Sequence, residues 1–286
     1  MTPRLAYQQS RGVRQTARAL RLGALALVLL NGLFPAIWIL LTSFKSEAEL
    51  AQSPITWLPS APTWANYTHA FHDQPLLHFI GNSAGVAALS TALTLMVATG
   101  AAYALARLKV PHHGWVLAGI VAVAMFPPVA LLTPLFESMR ALGLLNTWLA
   151  LILPYVVFSL PVCTLTLVGF FQSLPAELEH AAMVDGCTRL GALWHIVLPL
   201  AAPGVFTAGL LAFVNAWDEF LLALALNAAP DHRTLPVGIQ LYQGEYTFPW
   251  PVISAALVVA IVPLAIVIVV FQERVIGGLT AGASKG

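Results

Sequence analysis

Two neighbouring carboxylates, Asp218 and Glu219, interrupt an apolar run from Gly204 to Leu226. Carboxylates in such a setting can accept hydrogen bonds from a hydroxylated solute, hold a coupling ion, or anchor one helix against another. Asn215 shares their helical face and Trp217 sits beside them, which adds an amide and an aromatic ring to the same patch. A second concentration of polar groups is the stretch "EHAAMVDGCTRLGALWHIVLPL", residues 179–200, with Glu179, His180, Asp185, Cys187, Thr188, Arg189 and His195. Neither patch has the makings of bond chemistry. There is no H-E-x-x-H, no clustered Cys/His set and no G-x-S-x-G. The tail "GGLTAGASKG" does not contain the G-x-x-x-x-G-K-[ST] of a phosphate loop. His69, His72, His78, His112, His113 and His232 fall in loops or at membrane edges, and His180 and His195 in one connecting loop, without the paired spacing of metal ligands.

The elements that must position these groups follow from composition. Of 286 residues, 59% are hydrophobic and 9% charged, where an ordinary soluble domain carries about a quarter charged residues. Six apolar runs are long enough to cross a bilayer: Leu22–Thr42, Asn82–Ala106, Trp115–Phe136, Trp148–Phe171, Gly204–Leu226 and Val252–Phe271. Lipid offers no partner to a free backbone amide, so runs of this length must be helices. The expected fold is an all-α polytopic membrane protein with six transmembrane helices. Basic residues set its orientation. Arg4, Arg11, Arg14, Arg18, Arg21, Arg107, Lys109, Arg189, Arg274 and Lys285 flank one side, and only Lys45, Arg140 and Arg233 the other. Both termini are therefore expected in the cytoplasm. That leaves a cytoplasmic segment 1–21, a transmembrane domain 22–271 and a cytoplasmic tail 272–286. The first span is too long for a cleaved leader and lacks an A-x-A-like site, so it is expected to be retained. The net charge of +1 gives no reason to expect nucleic acid. Cys163 and Cys187 fall on a span and a loop, so no disulfide is expected.

On the outer side the longest connection, Phe44–Phe79, is rich in Pro and Trp, with Trp57, Trp64 and Tyr67 suited to headgroup depth. The short second outer loop reads "ESMRALGLLNT", and the third, Asn227–Trp250, is expected to be irregular. Pro35, Pro127, Pro128, Pro154, Pro161 and Pro263 fall in spans, where they can open a cavity by kinking or merely disturb packing. The connection 172–203 is too patterned for a spacer. "LPAELEHAAMVDG" reads as a short helix, with Pro175 in its first turn, Glu177 and Glu179 near its positive end and Gly186 as its stop. "TRLGALWHIVLPL" then reads as a second amphipathic helix, with Leu190, Leu193, Trp194 and Val197 on one face and Pro199 at its end.

This loop resembles the signature loop of membrane subunits of ABC importers. Ala181 and Ala182 are followed after three residues by Gly186, then after nine by Ile196, and then by Leu198 and Pro199. His180 departs from the pattern, standing where the family usually has glutamate, and Cys187 replaces a small alanine. "NSAGVAALSTALTLMVATGAAYALARLKVP", "LGLLNTWLALILPY", "NAWDEFLLALAL", "RTLPVG" and "FQERVIGGLTAGASKG" are likewise similar to the maltose-type carbohydrate permeases, across nearly the whole chain.

The resemblance implies a type I ABC importer permease fold and a role as one of two transmembrane subunits in a plasma membrane. It implies a sister permease, two cytoplasmic ATPase subunits, an extracytoplasmic solute-binding protein and surrounding lipid as partners. The implied substrate is a carbohydrate, a disaccharide or short oligosaccharide such as trehalose or maltose. ATP and Mg would act at the ATPase subunit, with no cofactor or metal on this chain. The coupling surface would comprise Glu179, His180, Ala181, Ala182, Asp185, Gly186, Ile196, Leu198 and Pro199. The translocation path would take in Asn215, Trp217, Asp218 and Glu219. Two other readings stand beside this one. A secondary transporter would use Asp218 and Glu219 for a coupling ion, and an ABC permease could carry a polyol or glycerol-phosphate ester. An intramembrane enzyme lacks a nucleophile with its base.

Overall fold

The computed structural model describes residues 11–108, 110–244 and 247–283, with side chains between residues 16 and 270. The expectations for Arg4, Arg11, Arg14, Lys109, Arg274 and Lys285 fall outside these limits. Every described element is helical. In chain order they are α1 (Arg11–Thr42), α2 (Glu47–Leu50), α3 (Ala65–His72), α4 (Leu76–Arg107), α5 (His113–Ala124), α6 (Leu132–Ala141), α7 (Trp148–Ser173), α8 (Glu177–Val184), α9 (Arg189–Ala192), α10 (Leu198–Leu200), α11 (Ala202–Trp217), α12 (Leu221–Leu226), α13 (Leu235–Gln240) and α14 (Trp250–Ala283). A π turn, Leu193–Val197, joins α9 to α10.

Among the described residues four helices are long and apolar enough to cross a membrane by themselves, and the number is up to six if each of two bent pairs is one span. The first bent pair, α5 with the segment Pro128–Ala141, turns by 84°. The residue before a proline is driven out of helical geometry, and Pro127, preceding Pro128, is extended at φ −69°, ψ 122°. The expected straight span Trp115–Phe136 therefore breaks. In the second pair the loop segment Arg189–Leu200 meets α11 at 81°. Pro35, Pro154, Pro161 and Pro263 lie inside helices that continue past them. The last helix also runs on beyond Phe271, to Ala283.

The chain divides into two compact units. One holds residues up to Ala70 together with Pro249–Val258. Here the connection after α1 folds on itself. Lys45 is fully buried, donates to the Thr56 carbonyl and lies 4.9 Å from the Trp38 ring centre. Glu49 accepts from the Thr56 hydroxyl at 2.8 Å and the Ser60 amide at 2.9 Å. The Ser60 amide, helped by the Thr56 hydroxyl, outweighs burial and holds the Glu49 carboxyl below the usual carboxylate range. Asn66 ties the carbonyls of Ser43 and Lys45 together, at 2.8 Å each. Trp57 and Trp64 remain exposed, whereas the Tyr67 hydroxyl pairs with Ser43 at 2.8 Å.

The other unit, Phe71–Phe248 with the rest of α14, carries both functional patches. Its core is built where α4, α7 and α11 meet. Ala98 and Ala102 on α4, and Ala208 and Ala212 on α11, recur four apart and are buried, so small side chains let the helices approach closely. Gly204 serves the same end, because a Cβ there would lie 2.3 Å from the Phe170 ring. Leu167 and Phe171 of α7 fill the space between, and Leu193 and Val197 of the π turn belong to the same cluster. The loop is thus packed into the bundle.

Candidate functional site: a docked loop and a lined cavity

The loop 172–203 folds into two limbs. Its first limb, α8, starts at Glu177, two residues later than a first-turn Pro175 would place it. It ends in a Schellman motif: the Gly186 amide reaches the Met183 carbonyl at 3.1 Å and the Cys187 amide reaches Ala182 at 2.9 Å. Gly186 adopts φ +91°, a conformation that costs any residue with a Cβ. Thr188 caps the second limb by accepting the Gly191 amide at 3.1 Å. The π turn then shifts the register of the helix. Leu193 and Val197 go inward, but Leu190 and Trp194, expected on the same face, point out at 66% and 65% exposure.

The expected coupling residues divide between two faces. His180, Ala181, Asp185 and Gly186 are exposed, with Pro199 at the far end. Ala182, Ile196 and Leu198 are half-buried. Val184, Leu190 and Trp194 add an exposed apolar component to the outer face. Glu179 lies elsewhere. It is buried, and its carboxylate meets Arg107 Nε at 2.5 Å through a charge contact whose angle is not that of a hydrogen bond. The Tyr103 hydroxyl donates to the other oxygen at 3.0 Å and is shared with the Arg189 carbonyl at 3.3 Å. Arg107 Nη2 donates to the Leu174 carbonyl at 2.9 Å. Tyr103 and Arg107 are absent from the residues expected on sequence grounds. Their four-residue spacing at the end of an apolar span was a usable signal, but Arg107 counted there only toward topology.

The second patch borders a cavity of about 660 Å³ lined by α5, α7 and α11, including Phe126, Phe158, Ser159, Asn215, Asp218 and Glu219. The expected continuous span Gly204–Leu226 does not exist as one helix. α11 ends at Trp217, and α12 starts at Leu221. Glu219 is the cause. Its carboxylate accepts the amides of Leu222 at 2.8 Å and Ala223 at 3.0 Å, plus the Tyr155 hydroxyl at 2.7 Å. A side chain that satisfies the first amides of a new helix competes with continuation of the old one. Asp218, one residue earlier, has no side-chain partner among the described residues and is exposed at the cavity. Asn215 reaches Ser159 at 3.4 Å on the same wall. Trp217 is not on that wall: it is 3% exposed and stacks on Phe213 at 5.8 Å. The described lining carries two carboxylates and no cation.

Bent spanning helices around a polar-edged cavity, with a patterned loop packed on the bundle, define a membrane permease subunit. Residues 96–279 match the family model of binding-protein-dependent transport system inner membrane components, and the chain belongs to that family. It is 67% identical over 271 residues to the sulfoquinovosyl glycerol transport system permease protein of Agrobacterium fabrum, covering 95% of both chains. It is 38% identical over 262 residues to the trehalose transport system permease protein of Mycobacterium tuberculosis (91% of this chain, 95% of the relative). It is 39% identical over 258 residues to the trehalose/maltose permease protein of Thermococcus litoralis (89% and 92%). In fold it is similar to a chain of a bacterial ABC transporter that imports the acidic polysaccharide alginate, with TM-score 0.77 and 24% identity over 95% of this chain and 99% of that one. The chain is accordingly a multi-pass inner-membrane subunit of a binding-protein-dependent ABC importer, working with a sister permease, ATPase subunits and a binding protein. ATP hydrolysis belongs to the partner subunit, and this chain performs no bond chemistry.

Proposed function

We propose that this chain is one half of the membrane channel of an importer for a sugar glycoside, with sulfoquinovosyl glycerol or a near relative as its substrate. The observation that carries the reading is the 67% identity along 95% of both chains to a permease of that name, against 38% to a trehalose permease. Such a solute is a carbohydrate with a glycerol aglycone, close to both the sugar and the glycerol-ester readings of the sequence. It also carries a sulfonate. An anion is repelled by a wall bearing Asp218 and Glu219 and no cation. The sugar and glycerol hydroxyls therefore face Ser159, Asn215 and Asp218, and the sulfonate faces the sister subunit. Trp217 stiffens α11 behind this wall, and Glu219 holds the helix break in place.

The loop 172–203 lies on the cytoplasmic side, in keeping with the basic flanks, and both termini lie with it. His180, Ala181, Asp185 and Gly186, with Val184, Leu190 and Trp194, offer the ATPase subunit an exposed surface of mixed character. Ala182, Ile196, Leu198 and Pro199 support its shape. ATP and Mg act at the partner. ATP-driven closure there draws the loop inward and rocks the bent helices between inward-open and outward-open states, so the cavity opens alternately to each side.

The test is reconstitution of this chain with its sister permease, ATPase and binding protein in proteoliposomes, measuring ATP-dependent accumulation of labelled sulfoquinovosyl glycerol. Competition by excess unlabelled trehalose or maltose probes selectivity. Accumulation of trehalose without sulfoquinovosyl glycerol would overturn the substrate assignment.

A further inference from the structure

Three joints of the coupling loop converge on a single turn of α4. Arg107 holds the Leu174 carbonyl where α7 hands over to the loop. Arg107 and Tyr103 together hold Glu179 on the first limb. Tyr103 also reaches the Arg189 carbonyl at the start of the second limb, beyond the Gly186 turn. Tyr103 and Arg107 are one helical turn apart, so they present a single face. Their neighbours Ala98 and Ala102 are part of the packed core with α7 and α11. The Arg107 and Glu179 side chains are 11% and 7% exposed. Burying such a pair is a poor source of stability, because desolvation offsets most of the attraction; what the contact fixes here is the position of Glu179 beside α4.

We propose that Tyr103 and Arg107 are positioning residues that receive the displacement of the coupling loop through Glu179 and pass it to α4. The inference rests on the coupling reading given above. Glu179 then acts inside the subunit, and the outer face of α8, one residue on at His180, meets the ATPase. Two limbs joined by a single left-handed glycine would otherwise flex at Gly186. Fixing both limbs to one turn of α4 makes the loop a rigid lever, and its movement must carry the helix that packs most closely on α7 and α11.

The experiment uses the complete transporter in lipid nanodiscs, with Tyr103→Phe, Arg107→Gln and Glu179→Gln variants. It measures how much ATPase subunit copurifies, and the ratio of ATPase activity with substrate-loaded binding protein to activity without it. Expected is full copurification with a stimulation ratio that falls by about tenfold in Glu179→Gln and Arg107→Gln, within the usual range for loss of coupling between sites. Tyr103→Phe removes one hydroxyl and leaves the ion pair, so a smaller fall of about fivefold is expected, at the low end of that range. Where the charge variants fail to fold, Tyr103→Phe alone decides. An undiminished ratio in assembled Tyr103→Phe overturns the proposal. So does loss of the ATPase subunit from a folded Glu179→Gln complex, because Glu179 would then be a docking residue. A wild-type complex without binding-protein stimulation would instead refute the coupling reading itself.

Discussion

Adjacent carboxylates at the end of α11 should respond to substitution in opposite ways. Glu219 satisfies three donors: the Leu222 and Ala223 amides and the Tyr155 hydroxyl. Glu219→Ala removes all three acceptors at once and leaves the first amides of α12 unpaired. Hydrogen bonds within membrane bundles average about 0.6 kcal/mol and bonds to a charged acceptor are worth about 1.5 kcal/mol or more, so three on one carboxylate place the loss at roughly 2–5 kcal/mol. Glu219→Gln keeps one acceptor oxygen and turns an NH₂ toward a donor, and should lose about 1–2 kcal/mol. Asp218 supports no such network. Asp218→Asn should leave stability within about 0.5 kcal/mol, as for a substitution away from packed or paired groups, while lowering uptake per assembled complex. Asp218→Leu, which removes the polar contact altogether, should lower uptake further. The assay pairs the thermal midpoint of the purified complex with uptake normalised to assembled transporter. A Glu219→Ala complex of wild-type stability, or Asp218 variants with unchanged normalised uptake, would refute this division of roles.

Three further outcomes are expected. Gly186→Asp meets no steric obstacle, since a Cβ there has nothing within 4 Å, but φ +91° imposes backbone strain of about 1–2 kcal/mol; with the added charge on the docking face it should abolish stimulated ATPase activity and uptake while the permease still inserts, and wild-type values would count against the docking role. His180 is exposed on α8 and can donate or accept a hydrogen bond without fixed charge, so His180→Gln should keep the ATPase subunit bound in pull-down of the complex; its complete loss would show that a protonated histidine or another special geometry is required. The Glu49 carboxyl is held below its usual value of 4.5, so its contribution to the fold around Trp57 is full above that value and is lost as the pH falls through the lowered one; an acid transition in tryptophan fluorescence that is identical in Glu49→Gln would contradict this.

The class of the protein was legible in the sequence because lipid leaves the backbone so few choices. An apolar run of sufficient length has to be a helix: four of the six runs appear in the structure as single helices, Trp115–Phe136 as a bent pair, and Gly204–Leu226 as α11 and α12. The shape of the loop 172–203 was legible for a related reason: a glycine that takes a positive φ, flanked by small residues and ended by a proline, leaves a spacing that survives without knowledge of any contact. Local chemistry also explains, in retrospect, the break at Pro127, since Pro128 forbids its neighbour a helical conformation.

What tertiary structure decided was where each polar side chain points. Glu179 and His180 are adjacent and both polar, yet about 100° of helical rotation puts one on Arg107 and the other in the open. Asp218 and Glu219 look alike in an apolar stretch. Only the fold brings Tyr155 to Glu219 from α7, 64 residues away in the chain, and so turns that carboxylate into the anchor of a helix break. Leu190 and Trp194 match Leu193 and Val197 in periodicity, but a single π turn, stabilised by packing against the core, sends the two pairs to different faces. Hydrophobic patterning records the period of an element and its average environment. The partner of an individual charge is set by long-range packing, where a buried carboxylate must find donors, and those donors come from elsewhere in the chain.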